Sequence, residues 1–177
     1  MPFGTPSDRD DEHRPASAPS NRPSRAAGLS LKGRALRLLA AREHSRVELT
    51  RKLAAHAESA EQLQVLLDEL EALGYLSAQR VAASVIHRQA PRQGLRRIQQ
   101  ELQTRGLDPA EHREALQALR ESEPQRALDL WRRRFDGVSS DPRERARQVR
   151  FLLARGFSAD LVARLVRGEF PDDDRMP

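Results

Sequence analysis

Leu102-Gln103-Thr104-Arg105-Gly106-Leu107 and Leu152-Leu153-Ala154-Arg155-Gly156-Phe157 repeat one pattern at an offset of 50 residues. Each carries Leu-x-x-Arg at the end of an apolar helical stripe and then glycine, which takes the left-handed backbone that caps a helix without steric cost. Leu53-Ala54-Ala55-His56-Ala57 lies a further 49 residues upstream and lacks the glycine. A period near fifty predicts stacked helical units, each too small to be very stable alone. A single mixed helical bundle is the competing reading.

Helix start and stop signals recur on either side of these anchors. In the first span, Leu36, Leu39 and Ala40 form a short apolar face. Ser45 with Glu48 has the spacing of a capping box, in which hydroxyl and carboxylate each satisfy a free amide of the first turn. Leu49 and Leu53 follow as an i, i+4 pair. Ser59 with Gln62 repeats the signal before Leu63, Leu66, Leu67 and Leu70, and Gly74 is the stop. The second span predicts a helix over about 78–89 burying Val81, Val85 and Ile86, broken by Pro91 and Gly94. Leu95, Ile98 and Leu102 line its second helix. Asp108-Pro109 opens a third, with Ala115, Leu116 and Leu119 inward. In the last span Pro124 opens a helix with Leu128, Trp131 and Phe135. Asp141, Pro142 and Glu144 restart the chain, Ala146, Val149 and Leu153 are expected to face the core, and Ser158 opens a helix with Leu161, Leu165 and Val166.

No alternating strand pattern occurs, so the expected class is all-α, with three tandem three-helix repeats over 31–77, 78–123 and 124–170. Residues 1–30 hold 5 of the 11 prolines and little apolar matter, so a disordered tail is expected there. Residues 171–177 form an acidic C-terminal tail.

The 177 residues, 20.0 kDa, include no cysteine, which excludes disulfides, thiolate metal sites and cysteine nucleophiles. No apolar run approaches the roughly 18 residues of a membrane span, and no apolar core follows the N-terminal charges as in a secretory signal. A soluble, cytoplasmic protein is expected. His44, His56, His87 and His112 lack metal-ligand spacing, and no GxxxxGK[ST], GxGxxG or GxSxG motif is present. Glu69 and Glu71 beside Asp68 read as a solvated face. The expectation is a protein without catalysis, cofactor or metal.

Charge carries the most information. Of 31 basic residues, 29 are arginine, whose planar fork pairs with phosphate and carboxylate. Net charge along the five spans runs 0, 0, +2, +5 and −2. Arg143, Arg147 and Arg150 share one helical face, Arg132, Arg133 and Arg134 project from the helix before, and Arg155 follows. In the second unit Arg88, Arg92, Arg96 and Arg97 surround the Pro91–Gly94 break, with Gln100 and Gln103 on the face of Arg96. These eleven arginines are the candidate binding residues, for a polyanion or an acidic protein wall. The competing reading is a solvated face with Asp136, Asp141 and Glu144 as counter-ions. Trp131, Phe135, Phe151 and Phe157 sit at core spacings, so no ring platform for bases is expected. DNA contact would then be weak, electrostatic and indifferent to sequence. Asp172, Asp173 and Asp174 either mask the arginines or form a plain soluble terminus.

Arg42-Glu43-His44-Ser45, then Glu48-Leu49 and Leu53, resembles the first-repeat signature of the RecX regulatory proteins. Gly74-Tyr75-Leu76 with the Val81-to-Arg88 helix and Gly94 through Gly106 is similar to the second repeat. Phe151-Leu152-Leu153-Ala154-Arg155-Gly156-Phe157 resembles the third. The likeness covers about residues 34–168. It departs at Ala78, where the family commonly has an acidic residue, at Val81, where phenylalanine is favoured, and at His44, where tyrosine is frequent. The resemblance implies a curved, elongated molecule and a monomeric negative modulator of RecA recombinase, acting in DNA repair and the SOS response. Such a protein lodges along the RecA filament on single-stranded DNA and suppresses ATP hydrolysis, strand exchange and co-protease activity. Two further readings compete: a dimeric helix-turn-helix transcription regulator reading bases with Arg46, Arg51 and Lys52 on the Ser45–Leu53 helix, and a purely structural scaffold.

Overall fold

The computed structural model describes residues 28–169. The tail expected over 1–30 falls outside them except for its last three residues, and the acidic tail over 171–177 falls outside entirely. Among the described residues the regular structure is helical throughout. The helices are α1 (Leu31–Ala41), α2 (Arg46–Leu53), α3 (Ala60–Ala72), α4 (Ala78–Gln89), α5 (Leu95–Thr104), α6 (Arg113–Glu121), α7 (Glu123–Arg132), α8 (Pro142–Ala154) and α9 (Ala159–Val166).

They pack as three units with three separate cores. Ala35, Leu49, Leu53, Leu63, Leu67 and Leu70 close the first around α1–α3. Val81, Val85, Ile98, Leu102, Leu116 and Leu119 close the second around α4–α6. Leu128, Trp131, Leu152, Phe157, Leu161 and Leu165 close the third around α7–α9. The three cores are separate, so the helices pack as three units and not as one bundle around a common core.

Local chemistry sets the helix ends. The Ser45 hydroxyl accepts from the Glu48 amide at 3.2 Å and the Glu48 carboxylate accepts from the Ser45 amide at 3.0 Å, completing the predicted capping box. Ser59, Ser77 and Ser158 cap α3, α4 and α9 through their hydroxyls.

Three inward faces differ from expectation. In α1 the buried residue is Ala35, with Leu36 and Leu39 half-buried and Ala40 exposed. In α8 the core positions are Gln148 and Leu152, with Ala146 and Val149 half-buried and Leu153 exposed. The face is shifted because a glutamine occupies a core position. Buried Gln148 accepts from the Trp131 indole N–H at 3.2 Å and donates to the Gly137 carbonyl at 3.0 Å, so its amide is satisfied without water. In α6, Ala115 is exposed and Leu116 and Leu119 alone carry the face, because the segment begins as a 3-10 turn over Pro109–His112 that rotates the helix start.

Candidate functional site

The units are joined by the same geometry twice. The C-terminal end of α5 meets the N-terminal end of α2, and the C-terminal end of α8 meets the N-terminal end of α5. At the first junction Gly106 lies so close that a Cβ there would fall 2.4 Å from the Val47 side chain. At the second, the Gly94 amide donates to the Arg155 carbonyl at 2.9 Å. A Cβ on Gly94 would meet the Gly156 carbonyl and the Phe157 nitrogen at 2.4 Å, and one on Gly156 would meet the Arg97 backbone at 2.6 Å. Each contact sets the negative end of one helix dipole on the positive end of another, a favourable arrangement.

Charge then distinguishes the junctions. At the first, Arg105 pairs with Glu48 at 3.2 Å, and Arg42 pairs with the same carboxylate at 2.9 Å. Burial raises the Glu48 pKa, but the Arg42 hydrogen bond, the Ser45 amide and the two arginine charges outweigh it and bring it down to about 2. His44 beside it is buried, its ring nitrogen 3.0 Å from the Arg42 carbonyl, and burial chiefly lowers its pKa, favouring the neutral ring. At the second junction the position matching Glu48 is Arg97. Arg155, the counterpart of Arg105, instead lies 3.6 Å over the Phe151 ring and donates to the Phe151 carbonyl at 3.1 Å. The missing carboxylate is replaced by groups from α7. Buried Glu123 accepts from the Leu95 amide at 2.7 Å, supplying the cap that Gly94 lacks a side chain to make. Arg126 donates to the carbonyls of Ala90, Gln93 and Leu119 at 2.7–2.8 Å.

Of the eleven candidate arginines, ten are exposed and Arg155 is half-buried. Among the described residues Arg92, Arg96, Arg133, Arg134, Arg143 and Arg150 have no carboxylate within salt-bridge distance. Arg147 has one, Glu144 at 3.3 Å. Of the other expected counter-ions, Asp141 is used to cap α8 at the Arg143 amide. Arg134 and Arg147 come together on a cleft of about 540 Å³ with Ser139, and the Arg147 guanidinium stands 6.0 Å over Phe135. Arg96 lines a polar cleft with Gln100 and Gln103. Arg133 lies on a different groove, with Ile86, Ala90 and Leu119. Arg88 turns back to the Ser84 carbonyl of its own helix at 3.1 Å, and Arg97 reaches Gln100 at 3.4 Å.

Of the three residues named for base reading, Arg46 is taken up by ion pairs, while Arg51 and Lys52 stay exposed. A recognition helix contacts bases through its N-terminal residues. Here His44, Ser45 and Glu48 at the start of α2 are buried. Arg46 is held by Asp68 at 2.7 Å and Glu71 at 3.0 Å.

Three helical cores in series, joined through helix ends and carrying exposed arginines, several of which have no ion-pair partner among the described residues, define a tandem helical-repeat protein with a basic surface. The chain belongs to the RecX family of regulatory proteins. The family model for the third three-helix domain of RecX matches residues 121–166, the span of α7–α9. The chain is 54% identical over 148 residues to the regulatory protein RecX of Leptothrix cholodnii, covering 84% of this chain and 92% of that protein. It is 51% identical over 140 residues to RecX of Ralstonia nicotianae, covering 79% and 88%. The crystal structure of RecX from Lactobacillus salivarius shares the fold at a TM-score of 0.64 and 19% identity, over 78% of this chain and 93% of that one. A second solved regulatory protein RecX aligns at a TM-score of 0.59 and 21% identity, over 76% and 70%. No helix among the described residues is long and apolar enough to cross a membrane.

Proposed function

We propose that this chain is a non-enzymatic, monomeric, cytoplasmic regulator that binds RecA and its filament on single-stranded DNA and inhibits ATP hydrolysis, strand exchange and co-protease function. The three units, taken as 31–77, 78–123 and 124–170, act as a ruler laid along a repeating fibre. The observation that carries the reading is the set of arginines left without carboxylates on units whose spacing the glycine junctions hold. Each contact is modest, but contacts on linked units add through effective concentration and favour whichever filament state they fit. Among the eleven candidate arginines, paired or not, Arg143, Arg147 and Arg150 form the main ridge, Arg132–Arg134 and Arg155 flank it, and Arg88, Arg92, Arg96 and Arg97 extend it to the second unit.

The triple variant Arg143→Glu, Arg147→Glu, Arg150→Glu tests this. Its helix survives on physical grounds: the one ion pair lost is exposed and worth about 0–1 kcal/mol, and glutamate at 143 suits a helix N-terminus. We expect unchanged far-ultraviolet circular dichroism and inhibition of RecA ATPase weakened about tenfold or more in concentration. A triple variant that slows RecA as well as the wild type removes this ridge from the interface.

A further inference from the structure

The first unit has no net charge along the sequence, yet ion pairs in the fold take up most of its acids. Lys32 pairs with Glu69, Arg46 with Asp68 and Glu71, and Arg42 with Glu48, while Glu43 takes Arg80 of the next unit at 2.8 Å. These pairs tie up five of the unit's acidic side chains. What remains basic is gathered elsewhere. Arg34, Arg37, Lys52 and His56 line a cleft of about 420 Å³ between α1 and the end of α2, with Leu38 and Leu53 in its walls and no carboxylate. Arg37, Arg51 and Lys52 are exposed and have no ion-pair partner among the described residues. Arg34 spends only its Nε, on the Leu29 carbonyl at 3.0 Å.

We infer that this cleft is a second binding site for the phosphate backbone of single-stranded DNA, at the opposite end of the chain from the Arg143–Arg150 ridge. It rests on the reading above that the target is a DNA-loaded filament. Arg34 and Arg37 are one helical turn apart, about 5–6 Å between Cβ atoms, and Lys52 faces them from a second helix. Cations on both walls of a shallow groove suit a strand whose charges recur along its length. The aliphatic walls suit sugars, and with no phenylalanine, tyrosine or tryptophan in the lining the contact is chiefly with the backbone and not with the bases.

Oligo(dT) binding by the full chain, followed by fluorescence anisotropy across a salt series, is the test. Neutralising two phosphate contacts lowers the slope of log K against log salt by about 1.4. The pair Arg37→Gln, Lys52→Gln is expected to show that loss with roughly tenfold weaker binding at low salt, and Arg37→Glu, Lys52→Glu a larger one. A structural role, with Lys52 offsetting the C-terminal dipole of α2, moves the melting temperature and leaves the slope alone. The glutamine pair decides if the glutamate pair folds poorly. An unchanged slope overturns the inference. So does a glutamine pair that binds oligo(dT) normally but loses RecA inhibition, since the cleft would then hold an acidic protein segment. Loss of RecA inhibition is measured separately, so wild-type chain that binds oligo(dT) here yet leaves RecA untouched refutes the filament reading and not this site.

Discussion

Replacing Gly94 with alanine uncouples the second and third units. The added Cβ falls 2.4 Å from the Gly156 carbonyl carbon and oxygen and from the Phe157 nitrogen, all backbone atoms that no rotamer change can move aside. The junction must open, and the 2.9 Å hydrogen bond from the Gly94 amide to the Arg155 carbonyl goes with it. Overpacking and one lost buried hydrogen bond together cost about 3 kcal/mol. Since each unit keeps its own core, the loss falls on the junction and not on the helices. We expect near-native circular dichroism, a urea transition that splits into two, and inhibition of RecA that weakens although no arginine has changed. A single transition at the wild-type midpoint would show that the junction has more slack than its geometry indicates.

Glu48→Gln is expected to destabilise the first junction by about 2–4 kcal/mol, because it removes the carboxylate shared by Arg42 and Arg105; Arg42 is left facing a neutral amide, while Arg105 keeps only Glu101 of its own helix at 2.8 Å. The same carboxylate sets an acid dependence. Its pKa in the folded chain, about 2, lies below the ordinary 4.5, so its contribution is complete above the unfolded value and is lost as pH falls from near 5 toward 2. A depression of that size corresponds to roughly 3 kcal/mol. Stability measured by thermal denaturation from pH 6 to pH 3 should therefore fall more steeply in the wild type than in Glu48→Gln. Parallel curves would mean that Glu48 is not the linked group.

Much of this architecture is legible before any coordinates. The Ser45–Glu48 box, the Val81–Val85 stripe and the Arg-Gly anchors at 105–106 and 155–156 are local signals, and local physics sets their outcome. The misplaced face of α8 has a specific cause. Gln148 looks like a solvent position until the Trp131 indole and the Gly137 carbonyl are seen to satisfy it, and with it discounted the pattern phases on Leu153 instead of Leu152. The junctions were half visible. Glycine at 106 and 156 reads as a helix stop, and nothing local says that another unit's backbone lies against it. The repeated Arg-Gly pair was the available signal, since a cap alone does not require arginine before it. Glu123 as a cap for α5, 28 residues distant, leaves no local trace. The basic cleft of the first unit was hidden by arithmetic, because equal numbers of acids and bases cancel in a sum but not on a surface.

Spacing alone points to the arginine surface, and the fold adds which members keep carboxylates. Arg147 has Glu144, whereas Arg143 and Arg150 on the same ridge have none among the described residues. That difference gives the ridge an order of sensitivity to salt.

The most direct test of the account is the rate of ATP hydrolysis by RecA on single-stranded DNA as the full chain is added at low salt. The account predicts a progressive fall in rate, at chain concentrations below those of RecA, that fades as salt rises. A rate that stays constant up to equimolar chain contradicts it.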